Sequence, residues 1–151
     1  MRPPSPDVAA RPTALETAAK ALARRDRAAA DLVAYLERHG AAPDDAAAAV
    51  ERLREAGYID DGRYAAARAE ALAARGFGDA AVRYELERDG VAPDDVDAAL
   101  AELSPERERA LTALRTSARP LLVARRLAAK GFSADAIAGA LAETGVDPGL
   151  D

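Results

Sequence analysis

The chain has 151 residues, a net charge of −5 and no cysteine, which excludes disulfide and thiolate chemistry. An acidic balance also argues against a protein whose whole surface grips nucleic acid, because such domains run basic. Half of the chain is nominally apolar, but 42 residues are alanine, so large apolar side chains are scarce and the core is expected to be thin, at roughly 25 cal/mol per Å² of buried apolar surface.

Alanine, leucine, arginine and glutamate favour helices, and β-branched and aromatic residues are few, so the chain reads as all-α. Residues 1–13 carry four prolines and no apolar h-region, and read as a disordered tail, not a secretory signal. Helices are then predicted at 14–25, 28–39, 43–56, 61–75, 79–89, 93–103, 105–117, 120–130 and 134–144, with 145–151 as a second tail. Pro43, Pro93, Pro105 and Pro120 open helices, where the missing N–H does no harm. Gly40, Gly57, Gly76, Gly90 and Gly131 follow amphipathic segments as left-handed caps. No apolar run approaches the roughly 18–20 residues of a membrane span, and a cytoplasmic protein is expected.

The helices repeat in threes. Leu36-x-x-x-Gly40-Ala41-Ala42-Pro43-Asp44 is echoed by Leu86-x-x-x-Gly90-Val91-Ala92-Pro93-Asp94 and, more loosely, by Leu127-x-x-x-Gly131-Phe132-Ser133-Ala134-Asp135. Each unit is a first helix, a second helix ending Leu-x-x-x-Gly, a short turn as in a helix-turn-helix, and a third helix opening with an acid. The expected organisation is three tandem three-helix repeats, 14–57, 58–103 and 104–144, stacked into an elongated curved rod. Their net charges are −1, −6 and +3. An acidic centre between basic patches suits a partner protein with basic loops, with added contact to phosphates.

Little in the sequence points to catalysis. The pairs Asp44-Asp45, Asp60-Asp61 and Asp94-Asp95 sit at helix starts, where carboxylates accept backbone N–H bonds and meet the helix dipole. His39 is the single histidine, at the end of its helix, and no cysteine or second histidine completes a metal set. No phosphate-cradling loop follows a strand, and no serine has a paired base. The expectation is a non-enzyme with no catalytic residues, no metal and no cofactor.

The stretch 57–86 holds four of the six aromatic residues. It reads Gly57-Tyr58-Ile59-Asp60-Asp61, Tyr64-Ala65, Arg75-Gly76-Phe77-Gly78, then Val82-Arg83 and Glu85-Leu86. This run resembles the signature of the RecX family, modulators of the RecA recombinase. Upstream, Ala21-Leu22-Ala23-Arg24-Arg25-Asp26-Arg27 is similar to the family's opening segment, with Ala28 at the place of its usual serine. Downstream, Lys130-Gly131-Phe132-Ser133-Ala134-Asp135-Ala136-Ile137 resembles its closing motif, so the likeness covers about 14–144.

Physically, Gly57 ends a helix, Tyr58 and Ile59 pack the junction, Asp60 caps the next helix with Asp61 beside it, and Tyr64 anchors it in the core. Gly76 and Gly78 flank Phe77, which plugs a seam. Leu86, Gly131 and Phe132 complete the structural set. Arg24, Arg25, Arg27, Arg63, Arg68, Arg75, Arg83, Arg125 and Arg126 are the contact candidates, since nothing in the core pattern needs them. The resemblance implies a monomeric negative regulator that binds the groove of the RecA–DNA filament and lowers its ATPase and strand exchange, in DNA repair, recombination and SOS control. Single-stranded and also double-stranded DNA would be weaker partners. Two other readings are a helix-turn-helix DNA-binding regulator acting without RecA, and a helical-repeat scaffold for another protein.

Overall fold

The computed structural model describes residues 11–146 and Gly149. The tails expected at 1–13 and 145–151 therefore fall largely outside the described residues. Among those described, the chain forms nine α-helices and no strand: α1 (Ala14–Arg24), α2 (Ala29–Arg38), α3 (Pro43–Glu55), α4 (Asp61–Ala74), α5 (Asp79–Arg88), α6 (Pro93–Glu102), α7 (Glu106–Arg115), α8 (Pro120–Ala129) and α9 (Ala134–Thr144).

Five helix ends share one device. The N–H of Ala41 reaches Leu36 O (3.0 Å), Val91 reaches Leu86 (3.1 Å) and Phe132 reaches Leu127 (3.0 Å), with Tyr58 on Leu53 and Phe77 on Leu72 at 2.9 and 3.2 Å. The intervening glycine N–H bonds to the carbonyl of the residue after each leucine. This is the Schellman arrangement, and it explains the sequence Leu-x-x-x-Gly. The leucine is the apolar residue one turn before the cap, and the glycine takes the left-handed conformation. All five glycines marked in the sequence have positive φ, from 83° to 92°.

Two expectations about helix starts need correction. Pro105 was expected to open α7 but is its N-cap, with φ −48° and ψ 137°, and the helix begins at Glu106. The acid pairs at 44–45 and 94–95 make no capping bond: the N-caps are Ala42 and Ala92, and the carboxylates lie in the first turn, where the dipole alone favours them. Asp60 does cap α4, accepting from Arg63 N at 2.9 Å.

The chain divides into two compact units at the Ile59–Asp60 boundary. In the first, α1, α2 and α3 pack on one another around Ala18, Leu32, Leu36, Val50, Leu53 and Ile59. In the second, α4 packs on α5 and α6, and α7 packs on α8 and α9. The middle triad buries Leu72, Val82, Leu86 and Val96, and the last buries Leu114, Leu127, Phe132, Ile137 and Leu141. The core contains no buried charged residue among those described, and alanine supplies much of it. All three helices of each triad contribute buried residues to this core.

Candidate partner interface

The family-like glycines of the second unit meet at one seam between its two triads. Gly78, the N-cap of α5, donates its N–H to Lys130 O (2.9 Å), and Ala80 N donates to Gly131 O (3.2 Å). A Cβ on Gly78 would overlap Phe132 N and stand 2.5 Å from Gly131 O, and one on Gly131 would stand 2.7 Å from Ala81 N. Both positions are glycine because two backbones touch there. Gly131 also needs φ +91°.

Two side chains of α7 fasten this seam. Glu106 accepts from Asp79 N (2.8 Å) through Oε1, and from Ser133 N (3.2 Å) and Ser133 Oγ (2.7 Å) through Oε2. One carboxylate thus serves the N-termini of α5 and α9, where the dipole favours it. Arg109, with only 14% of its side chain exposed, donates to Ser104 O and Phe77 O, both at 2.9 Å, and pairs with Asp79. It also lies over the Phe132 ring at 5.4 Å. Burial pushes the Asp79 carboxyl above its ordinary value. Arg109 pulls it back, by charge and by hydrogen bond, and the charge of Glu106 acts in the same direction as burial. The sequence reading missed Glu106, Arg109 and Asp79. The available signal was the pairing of two Gly-Phe turns, 76–77 and 131–132, in consecutive modules.

Phe77 lies at the seam. It is half-buried, with Arg75 and Lys130 each 5.3 Å from its ring, and Lys130 Nζ donates to Arg75 O at 3.2 Å. Tyr64 is half-buried and donates to Asp89 at 2.6 Å. Ile59 is buried, but Tyr58 is 67% exposed and packs no junction. Its N–H completes the cap on Leu53 while the ring points to solvent. Ala28, where the resembled family has serine, is a wholly buried N-cap of α2 with no side-chain bond.

The candidate arginines divide into two groups. Arg27 binds Asp31 at 2.8 Å and stacks on Tyr35 at 4.4 Å, with Arg25 at 3.9 Å from the same carboxylate. Arg68 spans Glu85 and Asp89 at 3.5 and 3.8 Å, tying α4 to α5, and Arg83 reaches Asp97 at 2.8 Å, tying α5 to α6. Arg24, Arg63, Arg75, Arg125 and Arg126 are exposed. His39 stacks on Tyr35 with centroids 4.0 Å apart, and its Nδ1 lies 2.8 Å from Tyr35 O. Among the described residues, no group of acidic, histidine or cysteine side chains is placed to hold a metal. No described helix is long and apolar enough to cross a membrane.

The architecture defines an all-α helical-repeat protein of three-helix modules. A family model, RecX second three-helix domain, matches residues 60–100, the α4–α6 triad. The chain is similar to the crystal structure of RecX from Lactobacillus salivarius, with TM-score 0.76 and 19% identity over 87% of this chain and 94% of that one. It is also similar to a crystal structure of regulatory protein RecX, with TM-score 0.68 and 25% identity over 82% of this chain and 67% of that one. No curated protein sequence matches the chain. The α4–α6 triad thus matches a RecX module, and the wider architecture is one this chain shares with RecX structures.

Proposed function

We propose that the chain is a negative regulator of RecA that binds the RecA–DNA filament and lowers its ATP hydrolysis and strand exchange. The observation that carries this is the RecX module at 60–100, set in an architecture shared with a RecX structure over 87% of the chain. The working modules are 14–57, 58–103 and 104–144, each offering a small contact zone. Weak contacts repeated along a periodic filament sum by effective concentration, so no single zone needs high affinity. Arg24, Arg63, Arg75, Arg125 and Arg126 are the proposed contacts. The paired Arg27, Arg68 and Arg83 make their ion pairs within single modules. The chain acts as a monomer in the cytoplasm, and bound it would bridge protomers and obstruct the second DNA strand.

Co-sedimentation tests this reading. RecA filaments assembled on single-stranded DNA with a non-hydrolysable ATP analogue should carry the chain into the pellet, well above the amount carried by the same DNA alone. Recovery no greater than with bare DNA would contradict filament binding.

A further inference from the structure

Helix α4 presents two alanine faces. One turns Ala65, Ala69 and Leu72 into the core. The other carries Ala66, Ala67, Ala73 and Ala74, at spacings that keep them on one side of the helix, and they floor a groove of about 600 Å³. Ala99 near the end of α6 and Leu103 just after it form the facing wall. Alanine is also the strongest helix former, so the floor alone points to no ligand. The charges beside it do.

Glu70 and Glu102 line this groove, and both are exposed. Among the described residues of the second unit, every other carboxylate is hydrogen-bonded, ion-paired or set at a helix start. These two have none of those supports. Glu70 stands in the interior of α4, and Glu102 ends α6, where the helix dipole opposes a carboxylate. Two cations also line the groove. Arg109 is already committed to Asp79 and two carbonyls. Arg63 lies about 10 Å from Glu70 along the α4 axis and pairs with neither carboxylate among the described residues.

The groove thus offers an apolar floor and two carboxylates that nothing inside the chain satisfies. A phosphate backbone would be repelled by them, and among the described residues no further acidic or histidine side chain joins them to hold a metal. The complementary group is a lysine or arginine of a protein, its aliphatic stem on the alanines and its charge at the carboxylates. A filament that holds DNA must itself carry such side chains to meet the phosphates. We propose that the α4–α6 groove receives a lysine- or arginine-bearing segment of a RecA protomer, with Glu70 and Glu102 as its counter-charges. The proposal rests on the filament-binding reading above and adds a site of opposite charge to the arginine contacts. The groove is continuous with one of those contacts, because Arg63 lies in its lining.

The test is co-sedimentation of the full chain with RecA filaments on single-stranded DNA, held by a non-hydrolysable ATP analogue. Glu70→Gln/Glu102→Gln keeps side-chain size and should weaken binding at least about tenfold at about 50 mM salt, with a smaller loss at about 300 mM, where charges are screened. Glu37→Gln/Glu55→Gln removes the same charge from exposed sites outside the groove and should stay within about twofold. The groove variant should melt no lower than wild type, because neither carboxylate has a partner to lose. A lower melting temperature would give them an internal role and overturn the proposal. No recovery of wild type with the filament would defeat the filament reading and this proposal together. Recovery of wild type with unchanged or tighter binding of the groove variant, as an apolar occupant would give, overturns the groove alone. So would equal losses in the two double variants. So would a wild-type dimer in sedimentation equilibrium that the groove variant abolishes, since the occupant would then be a second copy of the chain.

Discussion

Replacing Gly78 by alanine isolates the seam from ordinary glycine effects. Its φ is −82°, which any residue adopts, so no backbone strain is added. The new methyl would nevertheless stand 2.5 Å from Gly131 O and overlap Phe132 N, about 1 Å inside a normal contact. The obstructing atoms are backbone and cannot rotate away, so the two triads must part. Parting them breaks the bonds from Gly78 N to Lys130 O and from Ala80 N to Gly131 O, each worth about 1 kcal/mol net and more where a buried N–H is orphaned. Loss of part of the Glu106 and Arg109 bonding brings the expected cost to about 3–5 kcal/mol. Gly40→Ala is the control. It has φ +92° and open space around it, so only the left-handed penalty of about 1–2 kcal/mol applies. Thermal unfolding by circular dichroism should show Gly78→Ala losing more than about 12 °C. Hydrogen exchange should place its loosening in 60–146 and leave 14–57 protected. Gly78→Ala melting within about 3 °C of wild type, or above Gly40→Ala, would refute the reasoning.

Three further outcomes follow from the same contacts. Arg109→Lys keeps the charge but cannot bond Ser104 O, Phe77 O and Asp79 together; it should cost about 2–3 kcal/mol in urea unfolding, and a change under about 0.5 kcal/mol would show that the fork geometry is unimportant. Glu106→Gln should destabilise by about 1–3 kcal/mol, because a neutral amide loses the charge-assisted bonds to two helix N-termini; an unchanged midpoint would count against that shared role. Asp79 supplies a pH test. Its carboxyl is raised in the folded chain, so the fold holds this proton more tightly than the unfolded chain does. That contribution is complete below the ordinary carboxylate value and is lost as pH rises through the raised one. The stability of wild type relative to Asp79→Asn should therefore fall between about pH 3 and pH 6, and a rise over that window would reverse the assignment.

What the sequence made legible was local. A Schellman cap is a bond between residues five apart, so five glycines after amphipathic segments announced five helix ends, and the three-helix grouping followed from the three Leu-x-x-x-Gly turns. The seam was less legible because its partners are distant in sequence. Nothing near Glu106 indicates that it bonds Asp79 and Ser133, and Arg109 looks like any surface arginine until Phe77 and Asp79 are folded beside it. For the same reason Arg27, Arg68 and Arg83 could not be separated from the free arginines. Their carboxylate partners are identifiable only once the helices pack. Tyr58 shows the opposite failure: an aromatic in a distinctive motif, needed at that position for its backbone N–H while its ring is exposed.

The central claim is that this chain restrains RecA, and the most direct measurement is single-stranded DNA-dependent ATP hydrolysis by RecA of the same organism as the chain is titrated in. Hydrolysis should fall at substoichiometric to equimolar ratios. Arg24→Ala/Arg63→Ala, which alters only exposed side chains proposed as contacts, should weaken the inhibition without lowering the melting temperature. Unchanged hydrolysis at low salt and about tenfold excess, where mass action favours even weak binding, would contradict the claim.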